Sequence, residues 1–337
     1  MPRRGRLHIS GGCYHDIGRG LERRCIFRET ADKQDFLSRL EQGLERHQSQ
    51  CLAWAIMSNH YHLLIRIGPQ PLSKLMSALL GGYGGSYNRR HQRVGYVFQN
   101  RFKSILCEED GYLLELVRYI HLNPLRAKML GELSQLDRYP WTGHAGMVRK
   151  NRYDWHAVDE VLCLFGETRG KARKAYREFI RVGVTTQHSG NYSGGGLIRS
   201  SSGWEAADRQ KREHVRCIGD ERILGSSQFV EVALSEDELQ IELKTLRRQQ
   251  GWTLDKIMED VCEFYGIPEQ QLGTKARRNK LSLAKSLICY WGVEELGLTL
   301  TAIGRRLGIS QQAVSKWVTL GREYCRSEDI DIESLIR

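Results

Sequence analysis

Two short apolar runs, Cys51–Met57 (CLAWAIM) and Tyr61–Ile67 (YHLLIRI), flank the dipeptide Ser58-Asn59. Each run has strand length and the break is a turn signal, so the segment predicts a β-hairpin. A hairpin is marginal by itself and needs further strands or a covering helix. The flanking sequence supplies both. Arg6–Tyr14 (RLHISGGCY) predicts a strand with a Gly-Gly bend. Phe36, Leu37, Leu40 and Leu44 recur at helical spacing within Ala31–His47, and Pro71–Arg90 predicts a helix that turns glycine-rich. Phe102–Glu108 predicts another strand, and Gly111–Met129 a helix with Pro124 near its end. The order β-α-β-β-α-β-α predicts an α+β fold, a small antiparallel sheet with helices on one face.

The rest of the chain reads as helical. Trp155–Val182 predicts a helix, a GETRG loop and a basic helix, and Thr185–Gly203 is a Gly/Ser-rich linker. Glu236–Arg248 predicts a helix with Ser235 as its N-cap, and residues 251–325 look all-helical. The expected organisation is a catalytic domain over 1–150, a helical extension and linker over 151–245, a helical domain over 246–326 and an acidic tail over 327–337.

Charge narrows the function. The formal net charge of +11 is concentrated in two blocks. Residues 1–150 carry 23 basic and 13 acidic side chains, and residues 271–326 carry 10 and 3. Two separated basic blocks suggest two surfaces for a polyanion, most often nucleic acid. No apolar run approaches a membrane span, and the start MPRRGRLHIS has no apolar core that would make a signal peptide. The nine cysteines are odd in number, scattered and without a CxxC pair, so they read as reduced thiols of a cytoplasmic protein.

The sharpest chemical feature is Asn59-His60-Tyr61-His62. Residues two apart in a strand share a face, so His60 and His62 can project together and bind a divalent metal if another ligand joins them. Two half-exposed hairpin histidines would look the same in sequence. Tyr119 and Asn123, in RYIHLNP, lie four apart on one helical face and offer a phenol and a carboxamide oxygen. Tyr112 lies on roughly the same face, so spacing does not choose between the tyrosines, and Asn123 before Pro124 could equally cap the helix. Arg89, Arg90, Arg93, Gln99, Arg101 and Lys103 alternate with Tyr83, Tyr87, Tyr96, Phe98 and Phe102, a mixture suited to single-stranded nucleic acid. Arg3, Arg4 and Arg6 could extend that surface.

The segments MSNHYHLLI, GYVFQNRFKSILCEED and YLLELVRYIHLNPLRAKML, in that order, resemble single-tyrosine transposases of the His-hydrophobe-His class, in the REP-associated branch of the insertion-sequence-200-like group. The resemblance spans roughly 5–235 and includes ILGSSQFV at 223–230. It implies a ferredoxin-like domain that cuts and rejoins single-stranded, often hairpin, DNA through a 5′-phosphotyrosine. It implies Tyr119 as nucleophile, His60 and His62 as metal ligands, Asn123 where relatives place a third polar ligand, and Mg or Mn as the metal. Tyr61 at the hydrophobe position should face the core.

Thr301–Leu307, the turn Gly308-Ile309-Ser310 and Gln311–Leu320 form a helix-turn-helix pattern, with Gln311, Gln312, Ser315 and Lys316 at positions that can meet duplex DNA. With the basic Lys275–Trp291, this region resembles the C-terminal DNA-binding domain of the replication initiator DnaA. A packing or dimerisation unit is the alternative there. For the whole chain, the alternatives to a strand transferase are a regulator that binds DNA without chemistry and a replication-type nickase. The YIHLNP segment favours the transposase branch. Sequence leaves the oligomeric state open.

Overall fold

The computed structural model describes residues 6–185, 219–274, 280–328 and 330–332. The chain divides into two compact units, Met1–Ser235 and Glu236–Arg337.

The first unit contains β1 (Cys13–Arg19), α1 (Thr30–Arg46), β2 (Gln50–Ile56), β3 (His60–Arg66), α2 (Leu72–Arg90), β4 (Lys103–Cys107), α3 (Glu109–Arg126) and a two-residue β5 (Ile223–Leu224). The sheet order is β2-β3-β1-β4-β5. The first four strands pair antiparallel, and β5 adds to β4 in parallel. Strand β3 thus lies between β1 and β2, the split βαβ arrangement of a ferredoxin-like α+β fold.

Helices cover both faces rather than the single face expected. Phe36, Leu40, Leu75, Met76 and Tyr83 from α1 and α2 pack with Tyr61, Leu63 and Ile65 of β3 on one side. Leu116, Val117 and Ile120 of α3 pack with Leu52, Leu64 and Ile105 on the other, joined by Val161, Ala172, Tyr176 and Ile180. The alternation along β3 decides this. Tyr61 is fully buried toward α1 and α2, so its neighbours His60 and His62 face the α3 side.

β1 begins at Cys13, later than the strand expected at Arg6–Tyr14. Gly11, at φ +75°, makes the turn that precedes the strand, and Gly12 N–H bonds Ile9 O at 3.0 Å. The strand was obscured because it carries Asp16 and Gly18, both poor strand formers. Gly18 is required there, because a Cβ would collide with the Tyr61 ring lying across it.

A chain of hydrogen bonds ties α3 to the helical extension. His144 Nε2 donates to Asp137 Oδ1 at 2.8 Å, so His144 Nδ1 accepts from Tyr176 Oη at 3.0 Å. The Tyr176 oxygen then accepts from His121 Nδ1 on α3 at 2.7 Å. Arg177 completes the set on Asp137.

The helix expected from Ser235 begins at Ser227 and runs to Gln249, so Ser235 is interior to it. Ser226 caps it, accepting from Phe229 N–H at 3.2 Å, and Glu108 holds Ser226 through its backbone N–H and hydroxyl at 2.7 and 3.0 Å.

In the second unit, the helices Leu254–Tyr265, Lys280–Glu294, Leu300–Leu307 and Gln311–Glu328 enclose Ile257, Val261, Leu287, Trp291, Ile303, Leu307, Val314 and Val318. Thr299 caps the third, and Gly308 in the left-handed region ends it and turns the chain toward the next helix. The last helix runs past Leu320 to Glu328. Gly321 does not stop it, because it is buried against the Ser286 carbonyl, where a Cβ would not fit. Most of the linker Thr185–Gly203 and residues 275–279 lie outside the described residues.

Candidate active site

Four aromatic rings meet on the α3 face of the sheet. His60 and His62 lie on β3 with ring centroids 5.1 Å apart. The Tyr119 ring on α3 stands edge-on to His62 at 5.7 Å. It also stands edge-on to His15 of β1 at 5.9 Å. His15 stacks on His62 at 5.3 Å, with Nε2 3.0 Å from His62 Nδ1. The β1–β3 register causes this, since it pairs Ile17 with His62 and Leu64 with His15 and so makes the two histidines diagonal neighbours. Position along α3 also distinguishes the two candidate tyrosines: Tyr119 reaches the histidines, while Tyr112 lies two turns earlier, against the α3-side core.

The backbone sets up each side chain. Asn59 donates its Nδ2 to Arg23 O at 3.0 Å, which turns its Oδ1 toward His60 Nδ1 at 2.7 Å. An amide oxygen only accepts, so His60 carries its proton on Nδ1 and its lone pair on Nε2. On α3, Pro124 has no N–H for the Ile120 carbonyl. Asn123 Nδ2 turns back toward that gap, 2.9 Å from Tyr119 O and 3.5 Å from Ile120 O. Asn123 is therefore not a terminal cap, and α3 continues to Arg126 with Ala127 after it. Its Oδ1 is the amide atom those bonds leave unused.

Burial keeps the histidines neutral. It pushes His60 down to about 4, with Arg19 adding to the effect. It holds His62 well below the usual imidazole range, helped by the neighbouring His15 and His60. Tyr119 is raised by burial, while Arg126 and Arg19 pull it back. The Arg126 guanidinium lies 5.7 Å from the Tyr119 ring centroid. Neutral imidazoles suit a divalent metal, and His60 has its Nε2 free for one. Among the described residues, no three His, Cys, Asp or Glu side chains are grouped to hold one. Two imidazoles would therefore need oxygen ligands of another kind.

The basic residues expected to meet DNA separate into groups. Arg6, Gln99 and Arg101 line one groove of about 910 Å³ beside α2, with Tyr96, Phe98 and Phe102. Arg6 also stacks on Phe102 at 3.8 Å. Arg89 is exposed on α2. Arg90 bonds Asp32 at 2.6 Å and Asp35 at 3.4 Å, so carboxylates already compensate its charge. Lys103 sits on β4 opposite Ile17, near enough to depress His15 beyond what burial does. Arg3 and Arg4 lie outside the described residues. In the second unit, Gln311, Gln312, Ser315 and Lys316 are all exposed on one helix.

Sequence reasoning missed His15, Arg19, Asn59 and Arg126. Asn59 is adjacent to the His pair in NHYH and could have been read as its turn partner. Arg19 and His15 required the β1–β3 register.

Residues 9–123 match the family model described as transposase, IS200 like, and the resemblance read from the three motifs is borne out over that segment. Among solved structures, the chain is similar to a REP-associated tyrosine transposase bound to a REP hairpin, at 17% identity and a TM-score of 0.38, covering 45% of this chain and 88% of that one. It is also similar to a Deinococcus radiodurans R1 protein given as a candidate transposase, at 17% identity and a TM-score of 0.26, covering 35% of this chain and 95% of that one. No curated protein matches the chain.

Proposed function

We propose that the first unit cleaves and rejoins single-stranded hairpin DNA, with Tyr119 as nucleophile and His60 and His62 as ligands of Mg or Mn. The observation that carries this reading is the edge-on meeting of Tyr119 with the two-histidine strand. The family match over residues 9–123 supports a transposase role.

Tyr119 Oη would attack phosphorus as the bond to the 3′ oxygen breaks. The phenol releases its proton to solvent, and the departing 3′ oxygen takes one up. The product is a 5′-phosphotyrosine and a free 3′-hydroxyl. One phosphoester replaces another, so no nucleotide is consumed, and a 3′-hydroxyl can reverse the step to rejoin strands. Arg19 and Arg126 favour the phenolate and a nearby phosphate. A divalent ion held by His60 Nε2 and His62 Nε2, with Asn123 Oδ1 as a third ligand, would polarise the phosphate when bound.

The groove lined by Arg6, Gln99 and Arg101 suits the same strand, because it joins cationic and aromatic groups. Duplex DNA is the proposed ligand of Gln311, Gln312, Ser315 and Lys316 in the second unit, whose helix-turn-helix corner and exposed polar row support that assignment. Its boundaries are proposed as 246–326, after an extension over 151–245. Among the described residues, no helix is long and apolar enough to cross a membrane.

The test is incubation with hairpin single-stranded DNA and Mn²⁺. A covalent protein–DNA adduct that survives denaturation is expected, and chelator should abolish it. Adduct formation at full level in chelator would remove the metal from the mechanism.

A further inference from the structure

His15 belongs to none of the three motifs, yet it is among the most enclosed polar side chains of the first unit, at 1% exposure. Its Nε2 lies 3.0 Å from His62 Nδ1. Its own Nδ1 has no hydrogen-bond partner among the described residues.

Two neutral imidazoles this close share one proton, and it can sit on either ring. The placement matters for His62. If His15 donates, His62 carries its single proton on Nε2, and that nitrogen cannot ligate. If His62 Nδ1–H donates to His15 Nε2, the lone pair of His62 sits on Nε2. His60 is already fixed in this second form by Asn59. A ligating histidine that uses Nε2 must place its Nδ1–H on an acceptor, and the contact recorded for that atom is His15 Nε2.

We infer that His15 is a positioning residue for His62, accepting the His62 Nδ1–H across the β1–β3 pair and so aiming the His62 Nε2 lone pair away from the sheet. The inference rests on the reading of His62 as a metal ligand. It gives the HxH pair two different supports. Asn59 holds one imidazole from the hairpin turn, and His15 holds the other from the adjacent strand. In this arrangement neutral His15 carries its own proton on Nδ1, which is the nitrogen without a partner.

The decisive measurements are made on the full chain. In Mg²⁺-loaded wild-type protein, side-chain ¹⁵N spectra should show His62 protonated on Nδ1. Protonation on Nε2 overturns the inference and needs no variant to fold. Mn²⁺ affinity, read from the free-ion EPR signal without DNA, should fall about 10–100-fold in His15→Met. His15→Gln, which returns an acceptor oxygen near the Nε2 position, should recover most of the loss. Hairpin binding in chelator should stay at the wild-type level in both variants. Wild-type Mn²⁺ affinity in His15→Met overturns the role of His15, provided His62→Ala loses affinity. If His62→Ala also binds Mn²⁺ normally, the metal-ligand reading fails and the inference fails with it.

Discussion

The Tyr119 ring stands edge-on to the His62 ring, 5.7 Å between centroids, and this contact joins a helix and a strand that are distant in the chain. Tyr119→Phe keeps that packing and removes only the hydroxyl. The covalent adduct should disappear while hairpin affinity changes less than about twofold, a shift within the ±0.5 kcal/mol typical of mild substitutions. An undiminished adduct would show that another residue is the nucleophile.

Asn59 holds His60 from outside the His60–His62 pair. Asn59→Ala should leave the fold intact but reduce metal-dependent cleavage about 10–100-fold, the usual effect of losing an outer partner of a ligating histidine. Raising the Mn²⁺ concentration should restore part of the rate. A loss that no Mn²⁺ concentration relieves would point to a role in DNA contact instead.

Asp32 is completely buried at the start of α1. It accepts from the Arg28 and Glu29 amides at 2.9 and 3.1 Å and meets Arg90 and His91 at 2.6 and 2.9 Å. Burial would raise its carboxyl, but His91, the Glu29 amide, Arg90 and the Arg28 amide outweigh it and hold the group below its ordinary range. Asp32→Ala should cost about 3–5 kcal/mol, because it leaves buried donors unpaired. Denaturant unfolding measures this, and a midpoint near that of the wild type would mean the cluster reorganises freely.

Six histidines of the first unit, His15, His60, His62, His121, His144 and His156, lie below the ordinary imidazole value because of burial. His15 falls to about 3, and His60 and His156 to about 4. The unfolded chain therefore takes up protons first as pH falls below about 6.5. Stability is full above that pH and is lost on the way down to the folded values. His15, His60 and His156 should each cost about 1.4 kcal/mol at pH 5.5. Thermal unfolding should occur at a clearly lower temperature at pH 5.5 than at pH 7.5, and equal melting temperatures would refute the neutral, buried assignment.

Gln312→Ala with Lys316→Ala should weaken duplex DNA binding while leaving adduct formation on single-stranded hairpins unchanged. Loss of one phosphate contact should reduce the salt slope of binding by about 1. Unaltered duplex affinity would favour a packing role for the exposed row.

The legible parts of this chain are those whose geometry is local. His60 and His62 share a face because a strand has a period of two, and Tyr119 and Asn123 share one because a helix repeats every 3.6 residues. Both relationships hold before any tertiary contact forms. The turn at Gly308 between two helices was visible for the same reason. Strand β1 was placed too early, because a buried Asp16 and a Gly18 that accommodates Tyr61 look unlike strand residues until the neighbouring strand is present.

The sequence by itself determined the α+β plan, the two basic blocks, the HxH pair and the tyrosine helix. Tertiary structure decided which groups those residues meet. It covered both faces of the sheet, placed Tyr119 and not Tyr112 against His62, bound Arg90 to Asp32, and set His15 diagonal to His62. The reason is register. Strands β1 and β3 are far apart in the chain, and a slip of one residue would have turned His15 to the opposite face of the sheet, away from the site.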